Sequence, residues 1–190
     1  MSRLEPVVGT EIINDIRLGH TWHEYNILRD FILEEIPDWF VEVGIHEGGL
    51  AYLLLPILED IQYMGIEINC GIIQPRVKLR FDSYPNAELL CADCFSSSVA
   101  LAINKPGRKI IYCDGGNKVK ELEHFKYLCH SGDIIMAHDF YDGKRNVVDV
   151  PSPNAEVTPK DVLHLDEDET FVRLSEDIFE TTRIIGWQKI

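Results

Sequence analysis

This 190-residue chain lacks any apolar run long enough to cross a bilayer. Its longest, Gly48 to Leu58, is interrupted by Pro56 and falls short of the ~20 residues that a spanning helix needs. Cations are also scarce. Eighteen Lys and Arg face 32 Asp and Glu, a formal net charge of −14, and basic groupings such as Lys118 with Lys120 or Lys144 with Arg145 are short. Nucleic acids and anionic membranes are gripped through a basic footprint, so neither is expected as a partner. Cysteine is sparse, five residues and an odd count. Cys91 and Cys94 form a CxxC, but no second pair completes a zinc site; reduced intracellular thiols fit this count better than a disulfide framework. Glu5 and Pro6 stand where a secretory leader needs its apolar core, so a cytoplasmic chain is expected.

What is present is an ordinary globular composition, 45% hydrophobic and 26% charged, in a length that suits a single domain. Short apolar runs alternate with helical patterns. A helix is predicted from Thr21, with Tyr25, Leu28, Ile32 and Ile36 on one face, Thr21 and Glu24 spaced as a capping box, and Pro37 as its stop. Strands are predicted at Trp39 to Gly44, Tyr63 to Ile68, Ala87 to Asp93, Lys109 to Gly115 and Asp133 to Asp139, rich in the β-branched and aromatic residues that suit buried sheets. Between them fall helices near Leu50 to Leu58, where Pro56 predicts a kink or early stop, near Ile72 to Ser83, where Pro75 is a flaw, at Ser96 to Ile103, and from Val119 to Cys129. After a loop at Asp142 to Asn154, read as lid-like, a short helix is expected from Thr158, then two antiparallel strands in FVRL and TTRIIGWQKI. The expected fold is α/β: a Rossmann-like, doubly wound, mostly parallel sheet with a C-terminal antiparallel strand pair. One domain over 1–190 would comprise a helical segment at 1–37, a ligand-binding core at 38–141 and the loop and strands of 142–190.

Acids recur where the strands end: Glu42, Glu67, Asp93, Asp114 and Asp139. Part of this is the preference of Asp for helix N-caps. Ligands of open parallel sheets bind beyond the carboxyl ends of the strands, so these acids are expected to face one crevice, with Glu67 placed to accept hydrogen bonds from ribose hydroxyls. The first turn, GIHEGG from Gly44 to Gly49, lacks the GxGxxG spacing of a dinucleotide site, and Glu42 and Glu47 would repel a pyrophosphate. Hydride chemistry with NAD is therefore disfavoured, and a nucleoside carrying positive charge fits better.

S-Adenosylmethionine is such a nucleoside. The segments FVEVGIHEGGLA, YMGIEIN, LLCADCF, KIIYCDGGNK and SGDIIMAHDF, in this order, resemble the motifs of class I S-adenosylmethionine-dependent methyltransferases, and within them those of the cephalosporin hydroxylase and macrocin O-methyltransferase-like group. The resemblance covers about Thr21 to Asp139. It implies that Glu42, Gly44 and Gly48 shape the methionine end of the cofactor pocket, that His46 lines or closes it, that Glu67 holds the ribose, and that Asp93 lies near adenine, with Asp114 beside the cofactor. In relatives that use a metal, the acid after the fourth strand and the pair after the fifth hold Mg2+; here these are Asp114, His138 and Asp139. The implied activity is methyl transfer to a small-molecule hydroxyl, Asp139 and His138 being the catalytic candidates, with Mg2+ assistance where the acids hold a metal; a homo-oligomer is compatible with it. Two departures stand out. Asn117 replaces a histidine that could serve as base, and His138 replaces an acid, leaving it three open roles: metal ligand, base or wall. The alternative reading is a non-catalytic module that binds a nucleoside or S-adenosylmethionine without turnover.

Overall fold

The computed structural model describes residues 12–145, 147–148 and 155–190. The expected lid at 142–154 therefore lies partly outside the described residues.

Five parallel strands carry the molecule: β3 (Trp39–Val43), β4 (Gln62–Glu67), β5 (Ala87–Cys91), β6 (Lys109–Cys113) and β7 (Ile134–Ala137). β8 (Phe171–Arg173) and β9 (Ile185–Lys189) complete a seven-stranded sheet in the order β5-β4-β3-β6-β7-β9-β8, with β9 antiparallel to both neighbours. The strands alternate with period two. Phe40, Tyr63, Ile110, Tyr112, Ile134 and Met136 face one layer; Val41, Val43, Met64, Ile66, Ile111, Cys113, Ile135 and Ala137 face the other. Both sides are covered, as an all-parallel core requires. The first layer packs under α1 (Trp22–Glu35), α2 (Gly49–Leu54) and α3 (Pro75–Ser83), and the second under α4 (Ser97–Ile103), α5 (Lys118–Phe125) and α6 (Leu163–Asp166). No helix among the described residues is long and apolar enough to cross a membrane.

Local chemistry sets the element ends. Thr21 and Glu24 form the expected capping box, and α1 ends in Ile36 with a left-handed φ of 45° just before Pro37. Pro56 stops α2 early, as expected. Pro75, read as a flaw, is instead the first residue of α3, where a missing N–H costs nothing because that donor has no helical partner. The helix expected from Thr158 begins later, at Leu163, because the Asp161 carboxylate accepts from both the Thr158 N–H and its hydroxyl (2.9 and 2.6 Å) and holds a turn. Before α1 lies a hairpin that the apolar pattern does not announce, β1 (Ile12–Ile13) and β2 (Ile16–Arg17). Asn14 and Asp15 turn it with φ of 50° and 64°, the geometry of the two-residue turn that matches strand twist.

One expectation fails. Cys70, in the loop after β4, is disulfide-bonded to Cys91, the last residue of β5, with Cα atoms 5.6 Å apart. The pairing follows from the β4–β5 register, which sets Glu67 opposite Cys91. Cys94, Cys113 and Cys129 are free. The bond closes a separation of 21 residues, worth about 3 kcal/mol by loop entropy. Denaturant unfolding of Cys70→Ser should therefore show a loss of about that size against wild type without reductant, and none with it.

Candidate functional site

The sheet order reverses between β3 and β6, and a cleft of about 820 Å3 opens beyond the carboxyl ends of β3, β4, β6 and β7. Glu42, Gly44, His46, Glu67, Asp93, Asp114, His138 and Asp139 all line it. Gly48 does not. It sits behind the turn as the N-cap of α2, where its φ of 92° and the Val77 methyl 2.5 Å from any added Cβ admit only glycine. Arg17, Phe95, Glu156 and Arg183 line the cleft as well, and none of them stands out in the sequence.

On one side of the cleft, Glu67 ends β4 with its carboxylate pinned by two backbone amides, those of His46 and Asn69, at 2.9 Å each. His46 reaches this position through a φ of 55°. The turn lies close against the next loop, since a Cβ on Gly44 would meet the Gly115 Cα at 2.3 Å. Gly115 and Asn117 in turn donate their N–H groups to Glu121, at 3.1 Å each. The Asn117 side chain accepts from Lys120 N and caps α5, so its place in the motif is structural. Glu42 is buried and accepts the Tyr63 hydroxyl; burial raises its pKa well above the ordinary carboxylate value, against the pull of that hydrogen bond.

On the other side, charges are packed. Lys118, 5% exposed, places its ammonium 3.0 Å from Asp139 Oδ2, 3.6 Å from Asp114 Oδ1 and 2.9 Å from Glu156 Oε2. Arg183 reaches Asp139 Oδ1 at 2.5 Å and meets Glu24 through its backbone N, Nε and Nη2 at 3.1, 2.9 and 3.0 Å. His138 lies 3.1 Å from Asp114 and 3.4 Å from Glu24. Burial works against a charged His138, but the carboxylates of Asp114 and Asp139, the hydrogen bond to Asp114 and the nearby Glu24 carboxylate prevail and lift its pKa to about 10. Burial likewise opposes ionised Asp114 and Glu24, and the facing cations overcome it and hold both well below the usual carboxylate range. His20 stacks on His138 with ring centroids 4.2 Å apart, and burial and the neighbouring charge lower its pKa. Neutral His20 donates through Nδ1 to Leu18 O and accepts the Tyr112 hydroxyl at Nε2 (3.2 and 2.8 Å).

Asp114, His138 and Asp139 do converge, yet the donor set does not fit Mg2+. That ion demands free oxygen ligands at about 2.0–2.1 Å in an octahedron, whereas the Asp114 and Asp139 oxygens already face an ammonium, a guanidinium and a protonated imidazole. Among the described residues a tighter grouping of donor atoms is His20, Asp114 and His138, within 4.8 Å of one another; its histidines are occupied by Tyr112 and by a proton.

Glu24 is fully buried, so Glu24→Ala should cost about 3–5 kcal/mol in denaturant unfolding by removing the buried half of an ion pair and leaving Arg183 with Asp139 alone. The pH profile should peak between about pH 4.5 and 6.5. Glu24 and Asp114 have pKa values depressed from 4.5 and 3.8, so their contribution is present above those values and lost as pH falls. His138, raised from 6.5 to about 10, contributes fully below pH 6.5 and loses its contribution as pH rises toward 10. Glu42, raised above 4.5, contributes fully below that value and loses its contribution as pH rises from there, ahead of His138. A flat profile above pH 6.5 would contradict a charged His138.

No family model matches the chain, and no curated protein matches its sequence. Solved structures do match. The apo structure of CmcI aligns over 95% of this chain and 76% of its own at 16% identity, with a TM-score of 0.67; its Mg-SAM form aligns over 68% and 57% at 21% identity, with a TM-score of 0.53. A methyltransferase from Geobacter sulfurreducens covers 90% of this chain and 79% of its own at 12% identity, with a TM-score of 0.63. The O-methyltransferase from Bacillus cereus in complex with SAH covers 89% and 82% at 13% identity, with a TM-score of 0.59. At such identities the likeness is one of architecture: this chain has the fold of these methyltransferases, as its motifs led one to expect.

Proposed function

We propose that the chain is an S-adenosylmethionine-dependent methyltransferase that acts on a hydroxyl of a small molecule. The observation that carries this reading is the Glu67 carboxylate, held by two backbone amides at the end of the second parallel strand, facing a cleft of about 820 Å3 at the topological switch. The B. cereus and CmcI structures have been captured with SAH or with Mg-SAM.

Bound in this cleft, the cofactor supplies an electrophilic methyl group on a sulfonium. Glu67 would take the ribose hydroxyls, its position set in advance by His46 and Asn69. Gly44 would keep the first turn low enough for the cofactor to lie across β3. Glu42, buried and hydrogen-bonded to Tyr63, shapes the wall. The acceptor hydroxyl must lose a proton as its oxygen attacks. His138 already carries a proton at neutral pH, so it orients Asp114 and Asp139 and takes none. Asp139, at the cleft and gripped by Lys118 and Arg183, is the carboxylate that accepts the hydroxyl's proton as the oxygen–methyl bond forms and the methyl–sulfur bond breaks. No step is routed through a metal.

A second reading, a binding module without turnover, draws on one feature: Asn117 caps α5 where a base would stand. The two separate by transfer of a labelled methyl group. Thermal shift should rise with S-adenosylmethionine and S-adenosylhomocysteine and stay unchanged with NAD; a rise with NAD alone overturns both. In calorimetric titration, Glu67→Ala should weaken binding by roughly ten- to a hundredfold, the loss of charge-assisted hydrogen bonds.

A further inference from the structure

We propose that the Lys118 ammonium takes the place of the divalent cation of metal-using methyltransferases, so that this chain neutralises and positions its catalytic acids with a covalently attached charge and binds no Mg2+. The inference stands on the placement of the charges; it rests on the proposed methyltransferase reading only for the name of the site.

The oxygens that surround Lys118 Nζ are those a hard cation would collect. Asp114 comes from the loop after β6, Asp139 from the loop after β7 and Glu156 from the segment beyond, at 3.6, 3.0 and 2.9 Å; the Gly115 carbonyl accepts at 3.2 Å. Three carboxylates and a carbonyl, drawn from three separate segments, thus close on one point. An ion bound to the same Asp114 and Asp139 oxygens at the short distances Mg2+ requires would contend with Nζ for that volume. Arg183 holds the other oxygen of Asp139 at 2.5 Å, so each oxygen of this carboxylate already faces a cation fixed to the chain.

The position of the lysine supports the same conclusion. Lys118 is the first residue of α5, where the positive end of the helix dipole disfavours a cation, and its side chain is 5% exposed, where an ammonium is tolerated only when paired. The helix has no use for it there. What keeps it is the ring of acids. Lys118 acts through those acids and is a positioning residue; removing its charge without shortening the side chain should leave Asp114, Asp139 and Glu156 as a metal-ready set.

The test is titration with Mn2+, read by the paramagnetic resonance of the free ion, on wild type and on Lys118→Met, with circular dichroism to confirm folding. Wild type should leave Mn2+ free through the millimolar range. Folded Lys118→Met should bind one ion per chain at least tenfold more tightly than wild type, and adding Asp114→Asn should abolish that binding. An ion bound by wild type and released by Asp139→Asn overturns the proposal, whatever the variants do. So does a folded Lys118→Met that binds none; if that variant does not fold, Lys118→Gln takes its place. The readout is a metal signal and not turnover, so the absence of methyl transfer would overturn the proposed function without touching this inference.

Discussion

A carboxylate with no exposed surface anchors this structure. Glu24 receives the Thr21 N–H at 3.0 Å and three donors from Arg183, and lies 3.4 Å from His138. Stranding such a charge is costly, so the start of α1, the residue that leads into β9 and the end of β7 must be in register together or not at all. Arg183 passes that constraint on to Asp139, Asp139 to Lys118, and Lys118 to Asp114 and Glu156. The charged side of the cleft is one network whose members hold one another in place.

The opposite side of the cleft is built from backbone. Glu67 is fixed by amides, and the turn at Gly44 is fixed by its closeness to Gly115. The left-handed φ of His46 and that of Asp139, 58°, both sit at the sheet edge, where strained conformations gather at functional sites. The two sides answer different demands. On one side stands a carboxylate held by backbone amides; on the other, carboxylates are set among cations.

Much of this was legible in the sequence because it is local. The apolar runs mark five parallel strands, Thr21 with Glu24 marks the first helix, and the acids at the strand ends mark the edge where the cleft opens. Pro75 misled because proline inside a helix and proline at its first position look alike until the start is known. The charge network was not legible. Glu24 and Arg183 are 159 residues apart, and Glu24 looked fully explained as a capping residue. Lys118, at the head of a helix that also carries Lys120, reads as an ordinary surface cation; only the return of the chain at Glu156 and Asp139 shows it enclosed. The Cys70–Cys91 pair was hidden for the same reason, since nothing but the neighbouring registers of β4 and β5 brings the two together.

The placement of β9 bears on how the molecule comes into being. It pairs with β7 along residues 134–137 and separates that strand from β8, although it follows β8 in the chain. During vectorial synthesis, which exposes N-terminal segments first, β3 to β7 can assemble while the outer edge of β7 is still bare, and Glu24 must wait for Arg183 until the segments through β8 have emerged. A nascent chain halted before residue 183 would hold the Glu67 cradle but not the guanidinium that joins Glu24 to Asp139. It could acquire the shape of a cleft before it acquired the means to use one.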